Sequence, residues 1–325
     1  MEQRKTLEKV WRVARRSLCA VACWAMGMLC LLPTGCRKAV QLTDENAVYY
    51  WRTEWRLDST EAAFLREHNI NKVYCRYFDV VMDDATGEPV PNATIAFGTR
   101  AEPVESTRAE PVESTCTPMP AGLEIVPTVY ITEDCMHATH DSLARKLVQR
   151  VVQMNATHDI HGVSELQIDC DYTLNSRRTF YAFLEEVRSE ARRHGLRLSA
   201  TIRLHQLSMP VPPVDYGVLM LYNTGDPQRF DERNPVLDQR DVQPYVRYLD
   251  GYDLPLAAAY PVYAWQRTIH GVRIEHVVEA GEILAVKKMV ETRRDDLRHT
   301  ILTFCLDTEN IQRYNTATYE AIYHH

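Results

Sequence analysis

The chain has 325 residues, 45% hydrophobic and 25% charged, with 12 Gly and 16 Pro, a balance that excludes collagen, coiled coil and wholesale disorder. Its formal charge is −7, and setting aside the six basic and two acidic residues of positions 1–35 leaves 31 basic against 42 acidic residues; a globular part this acidic is a poor binder of nucleic acid. A mean hydropathy of −0.34 argues against a multi-span membrane protein.

The first predicted element is an address. Residues 4–16 are basic and residues 17–32 read SLCAVACWAMGMLCLL without a charge, the layout of a secretory signal and a little short of the roughly 20 residues that span a bilayer. Leu32-Pro33-Thr34-Gly35-Cys36 then resembles a bacterial lipobox, with Pro33 in place of the usual aliphatic residue. The resemblance implies a signal peptide over 1–35, cleaved before Cys36, and a lipid (palmitate-type) anchor on that cysteine. An uncleaved anchor helix is the other reading. Arg37 follows Cys36, with neither an Asp nor an acidic cluster. That implies a lipoprotein of the cell envelope held at the outer membrane, its side unresolved. Residues 36–46 are then a linker and 47–325 one folded domain.

Eight short runs of strand character follow, at 47–51, 72–78, 124–131, 163–170, 196–203, 216–222, 256–263 and 300–306, rich in Val, Ile, Leu and Tyr. Helical spacing lies between several of them. Residues 59–68 follow a cap-like Asp58-Ser59-Thr60-Glu61, 142–155 and 176–194 each carry one apolar face, Gly195 ends the latter, and 241–249 is a shorter candidate. Strands alternating with helices predict parallel pairing, and eight such units predict a single (β/α)8 TIM-type α/β barrel. The rival, an open doubly wound sheet, would show a glycine-rich loop after its first strand; the chain reads Trp51-Arg52-Thr53-Glu54-Trp55 there. Residues 204–215 are too rich in proline for a helix. RAEPVEST at 100–107 repeats at 108–115, and the stretch 99–118 reads as a disordered loop.

Cys75, Cys170 and Cys305 fall in apolar runs and read as core; a Cys116–Cys135 bridge is open. No CxxC pair exists, and the grouping of Glu133, Asp134, His137 and His140 is irregular for a metal. Neither a metal nor a cofactor is expected.

In a barrel, alternate strand residues face the interior. Along 165–171 the even positions are apolar, so Gln167, Asp169 and Asp171 point inward. Along 198–203 the same holds for Ser199, Thr201 and Arg203, with His205 just beyond. Polar groups at strand ends mark the catalytic face of this fold. The other reading is a buried network in which Arg203 neutralises Asp169; two carboxylates and a histidine exceed what one arginine satisfies.

Asp169-Cys170-Asp171-Tyr172 resembles the fourth-strand signature of family 18 glycoside hydrolases, the chitinase-like enzymes, D-x-x-D-x-D-x-E. Met220-Leu221-Tyr222-Asn223, Tyr260–Trp265 (YPVYAW) and residues 303–311 (TFCLDTENI) resemble its sixth, seventh and eighth strands. The phrases YYWRTEW, QIDCDYT, SATIRLHQL and LMLYNTGD are similar to an uncharacterised bacterial lipoprotein family that shares this barrel, a membership that implies no activity. The signature's final Glu, the family's acid, is Thr173 here, and its first Asp is Leu166. Another carboxyl would have to give the proton: Asp171 is the nearest, with Glu54 and Glu309 as alternatives, and a like-charged Asp169 neighbour tends to raise one pKa.

The resemblance implies a lipid-anchored, glycoside-hydrolase-like barrel acting on a glycan. Asp171 is its acid or acid/base, Asp169 its tuner, and Tyr222 and Asn223 orient the sugar. Trp51, Trp55, Tyr77, Tyr172, Tyr263 and Trp265 would offer ring faces to sugar C–H groups. Arg52, Glu54, Asp79, Arg203, His205, Gln206, Asn223 and Asp307 would supply polar contacts. The alternative is a catalytically inactive glycan-binding lipoprotein using the same cleft; whether the chain is an enzyme stays open.

Overall fold

In a computed structural model, the described residues are 42–97, 120, 122–226, 233–269 and 272–325, with side chains at 267–273 excepted. The signal segment, Cys36 and most of the linker lie outside them, as do the duplicated segment and Cys116. Among the described residues no helix is long and apolar enough to cross a membrane.

The strands are β1 Glu45–Tyr50, β2 Ile70–Met82, β3 Pro89–Asn92, β4 Glu124–Ile131, β5 Glu165–Asp169, β6 Arg197–Ile202, β7 Tyr216–Met220, β8 Leu256–Pro261, β9 Trp265–Ile269, β10 Val272–His276 and β11 Thr300–Phe304. Eight of them pair in parallel, in the order β1-β2-β4-β5-β6-β7-β8-β11. β11 returns to β1, closing the barrel. β3 adds to the sheet antiparallel to β2, and β9 and β10 form a separate antiparallel hairpin.

The helices are α1 Ser59–Glu67, α2 Leu143–Thr157, α3 Arg177–Arg193, α4 Gln239–Val246, α5 Ala280–Arg293, α6 Thr308–Ile311 and α7 Thr316–Ile322. α1 starts where the sequence signals it. The Asp58 carboxylate accepts from Glu61 N at 2.8 Å, and the Glu61 carboxylate accepts from Asp58 N at 3.1 Å, a reciprocal cap. α3 stops at Gly195, whose φ of 73° suits glycine and lets Leu196 N reach back to Ala191 O at 3.0 Å. Two crossovers depart from an eightfold alternation. β6 joins β7 through a 3-10 turn, Leu204–Ser208, and the described part of the β2–β4 connection carries β3 instead of a helix.

Strand parity divides the core. Residues such as Val48, Val73, Leu166, Ile168, Leu198 and Ala200 pack outward under the helices. The inward set joins Ala47, Tyr49, Tyr74, Val126, Tyr216, Val218, Met220, Ala257, Ala259 and Leu302. That interior also carries polar groups in layers. At the end where the strands begin, Lys72 lies 2.8 Å from Glu45, 3.7 Å from Glu124 and 3.9 Å from the fully buried Glu165. Glu165 accepts from Ser199 Oγ at 2.5 Å and from the Tyr216 hydroxyl, which in turn meets the Tyr74 hydroxyl at 2.7 Å. Next, Tyr49 donates to Gln167 Oε1 at 2.9 Å.

Burial raises the Glu165 pKa above its ordinary 4.5, with Lys72 opposing. A proton is therefore held in the native state that the unfolded chain releases at lower pH, and this contribution to stability is lost as pH rises through the raised native pKa. Replacing Lys72 by Met strands the Glu165 charge, so Lys72→Met should lose about 3–5 kcal/mol at neutral pH and markedly less near pH 4.5, where Glu165 stays neutral. Urea denaturation at the two pH values reads the difference, and an equal loss at both would refute the assignment. Gly217 supplies a second check. A Cβ there would stand 2.7 Å from Ile202 Cγ1 and 3.0 Å from Leu256 Cδ2, so Gly217→Ala should destabilise by about 1–3 kcal/mol through overpacking, measured in the same way.

Candidate functional site

Where the strands end, the barrel opens into a cleft of about 220 Å³. β5 and β6 supply its polar wall. Asp169 is almost fully buried, accepts from Thr201 Oγ1 at 2.6 Å and lies 3.6 Å from Arg203 Nη2. Arg203 Nε donates to Asp171, whose side chain is about half exposed at 49%. One guanidinium thus serves two carboxylates. Burial lifts the Asp169 pKa above the ordinary carboxylate value; Arg203 opposes the rise and Asp171 adds to it. Burial works against the Arg203 charge, and the two aspartates more than restore it.

Gln206 holds these strand ends together. Its amide donates to Tyr172 O at 3.1 Å and Cys170 O at 3.4 Å, and its Oε1 accepts from Arg203 N at 2.8 Å. It is a buried staple behind the cleft wall.

The aromatic wall comes from β1, β7 and β11. Tyr222 stacks on Phe304 at 4.8 Å between ring centroids, Trp51 meets Phe304 at 5.6 Å, and Tyr263 sits edge-on to Tyr222 at 6.2 Å. The Tyr222 hydroxyl is buried and has no hydrogen-bond partner among the described residues, and burial raises its pKa well above 10. Asn223, with φ of 51°, takes the left-handed conformation that asparagine tolerates, and accepts a hydrogen bond from the Tyr263 hydroxyl.

Of the residues expected from sequence, Trp51, Asp169, Asp171, Arg203, Tyr222 and Asn223 line this cleft, with Tyr263 packed behind Asn223. Others lie elsewhere. Tyr172 is buried against Phe180 of α3 at 4.8 Å and bonds Tyr181, so it faces the helix layer. Tyr77 likewise turns outward to Asn155 of α2 at 2.7 Å. Trp55 is buried against Tyr50 at 4.8 Å. Trp265 opens the β9–β10 hairpin and packs against His276.

Arg52 is tied to Glu61 and to Leu306 O and lies 3.7 Å from Asp307, which caps α6. Those groups join the start of the barrel to its end. Glu54 bridges by its backbone to Ala96, and His205 is exposed in the 3-10 turn. Asp79 is buried beside Arg76. Glu309 pairs with Arg313 at 2.8 Å on α6.

Four cleft residues were not among those expected from the sequence: Arg76, Tyr130, Met220 and Phe304. Arg76 continues the inward parity of Lys72 and Tyr74, and β2 shifts register just after it, between Arg76 and Phe78. A bulge of this kind resets the alternation, bringing Arg76 and Asp79 together, three positions apart. Arg76 Nε donates to Asp79 Oδ1 at 2.7 Å, Nη2 pairs with the other oxygen, and its Cζ lies 5.6 Å from the centre of the Trp51 ring.

Beside the cleft, Thr173 donates its backbone N–H to Glu133 Oε1 at 3.1 Å, and Ser176 Oγ donates to the same oxygen at 2.7 Å. Burial alone would raise the Glu133 pKa, but these bonds outweigh it and hold the carboxyl below its ordinary value. Glu133 is therefore an anion that anchors the loop after β5. Among the described residues no three His, Cys, Asp or Glu side chains converge as metal ligands. Cys135 is a buried free thiol.

No family profile and no curated protein matches the chain. Solved structures do match it in fold. A chitinase from Chromobacterium violaceum superposes with a TM-score of 0.52 at 13% identity, over 86% of this chain and 98% of that one. The spore cortex-lytic enzyme SleL of Bacillus megaterium gives 0.52 at 10% identity, over 87% and 75%. A group IV chitinase from Ostrinia furnacalis gives 0.50 at 11% identity, over 86% and 98%. The shared feature is the barrel.

An unpartnered buried hydroxyl costs about 1–3 kcal/mol. Tyr222→Phe should therefore leave thermal stability unchanged or raised, with ligand affinity reduced. A variant that unfolds more readily than the parent would show that the hydroxyl serves the fold.

Proposed function

We propose that the chain is a lipid-anchored, glycoside-hydrolase-like barrel that acts on a glycan in the cell envelope, anchored through Cys36 at the outer membrane. The observation that carries the reading is the pair of aspartates two residues apart, Asp169 and Asp171, set around one arginine at the open end of the barrel and faced by Trp51, Tyr222 and Phe304. Ring faces pack on sugar C–H groups while the hydroxyl and amide at Tyr222 and Asn223 orient the ring. Two neighbouring carboxyls in unlike surroundings, one buried and one half exposed, are the setting in which proton-holding and ionised roles separate. The fold likeness to chitinases and to a cortex-lytic enzyme makes amino-sugar oligomers the first substrates to assay.

Asp171 gives or takes the proton at the glycosidic oxygen, since it is the carboxyl exposed to the cleft, and Asp169 beneath it tunes that exchange. Thr173, where the resemblance places the acid of chitinase-like enzymes, brings a hydroxyl too weakly acidic for the task. A second reading, a glycan-binding lipoprotein without turnover, is favoured by the Arg203–Asp171 ion pair, which occupies the cleft-facing carboxyl.

Incubation with chitin-type and peptidoglycan-type oligomers separates the two. Hydrolysis that falls at least a hundredfold in Asp171→Asn, with binding retained, establishes the first. Binding without product in the parent establishes the second. Absence of binding across the panel would sink both.

A further inference from the structure

We infer that the sugar entering the cleft carries a carboxylate, received by Arg76 and Arg203, so that the substrate class is an acidic glycan. This rests on the glycan reading above and narrows it.

The hydrogen-bonding capacity of the cleft is only partly spent within the protein. Arg76 spends Nε and Nη2 on Asp79, and Arg203 spends Nε on Asp171. Among the described residues, Nη1 of Arg76 and both terminal nitrogens of Arg203 make no hydrogen bond, the nearest carboxylate oxygen to Arg203 Nη2 being that of Asp169 at 3.6 Å. The Tyr222 hydroxyl is likewise without a partner, and the Asn223 amide nitrogen is free while its oxygen serves Tyr263. Of the acceptors that line the cleft, Asp169 Oδ1 already faces Thr201 and Arg203 and Asp171 Oδ1 faces Arg203, which leaves one oxygen on each aspartate. What remains for a ligand is mostly donors. A sugar hydroxyl both gives and takes hydrogen bonds; a carboxylate only takes them and fits the planar fork of a guanidinium.

The second observation is the bulge in β2. A regular strand would not put Arg76 and Asp79 on one face; the register shift after Arg76 does. Asp79 then fixes the guanidinium from behind and Trp51 lies against it, so the remaining N–H groups are oriented before a ligand arrives, which lowers the entropy cost of binding.

Repulsion from the cleft's own carboxylates does not oppose this. Asp79 pairs with Arg76, and Asp169 and Asp171 both lie against Arg203, so each carboxylate of the cleft has a cation beside it. The cleft, at about 220 Å³, is smaller than the roughly 300–1,000 Å³ of sites for larger ligands, and suits a single ring. A carboxylate on that ring has two sources, a uronic acid or the ether-linked acid of a muramic-type sugar.

The test is calorimetric titration of the full-length protein with a glucuronate-containing tetrasaccharide and a muramic-acid-containing tetrasaccharide, each beside its carboxyl-reduced counterpart. One acidic probe should bind roughly ten- to a hundredfold more tightly than its reduced form, the range that one or two charge-assisted hydrogen bonds supply, and the probe that does so names the source. Arg76→Gln should bring acidic and reduced forms within about threefold of each other, a loss of most of that charge-assisted gain. Should Arg76→Gln fail to fold, the preference in the parent protein should shrink between 50 mM and 500 mM salt, as it must for a charged contact. Equal binding of acidic and reduced probes overturns this inference and leaves the glycan reading standing; binding of neither overturns both.

Discussion

A barrel that turns carboxylates toward its own axis must neutralise them from its own strands, because a lone buried charge costs several kcal/mol. Everything distinctive here follows from that demand. Glu165 is met by Lys72 from β2 and by hydroxyls of β6 and β7. Asp169 is met by Thr201 and Arg203 from the end of β6. Both lie on β5 with inward parity, four residues apart, so the two charged layers sit at opposite ends of the interior. Tyr49, Tyr74 and Gln167 fill the space between them.

The two ends meet the demand differently. Lys72 gathers three carboxylates within 4.0 Å, and Glu165 has donors on both oxygens. At the open end one arginine is shared between two aspartates, and Tyr222 keeps a buried hydroxyl without a partner. Gln206 and Glu133 tie the surrounding backbone down from outside the cleft. The scaffold is rigid where the cleft needs walls and unsatisfied where a ligand would bind, the arrangement a preformed site requires.

Much of this was legible in the sequence. All eight barrel strands lie where runs of Val, Ile, Leu and Tyr place them, and the inward parity of Gln167, Asp169, Thr201 and Arg203 follows from alternation alone. The (β/α)8 class and the likeness to chitinase-like barrels both hold in the fold. What escaped has physical causes. Helix α5 hides because its apolar residues Ile283, Leu284, Val286, Met289 and Val290 are not confined to one face, and Lys287, buried against Glu291 and His324 O, breaks the pattern further. In the β9–β10 hairpin only β10 alternates, over Val272–Glu275, while β9 reads WQRTI without alternation. In the site, Arg76 keeps the inward parity of Lys72 and Tyr74 and Tyr77 the outward parity of Val73 and Cys75; only Asp79, beyond the bulge, departs from counting by twos. Tyr172 keeps the helix-facing parity of Leu166, Ile168 and Cys170 past the strand end and packs under α3, so a place at a strand end does not by itself bring a ring to the cleft.

Local exceptions occur at several places in this barrel, among them a register shift at Asn46/Ala47, left-handed Asn69 and Ser142 and a Gln167 Nε2 without a partner among the described residues, and four of them gather at one cleft. The β2 bulge, the left-handed Asn223, the orphan Tyr222 hydroxyl and the raised Asp169 carboxyl all lie at the ends of the strands, around one cleft. Each is unfavourable where it stands, and stability alone would remove each of them: an unbulged strand, a phenylalanine, an asparagine in place of the buried acid. The opposite end of the same barrel, built from the same strands, pairs its buried charges. A fold selected only for its own stability has no reason to treat its two ends so unequally. A fold that holds a ligand at one end does, because the groups left unsatisfied there are the ones the ligand completes.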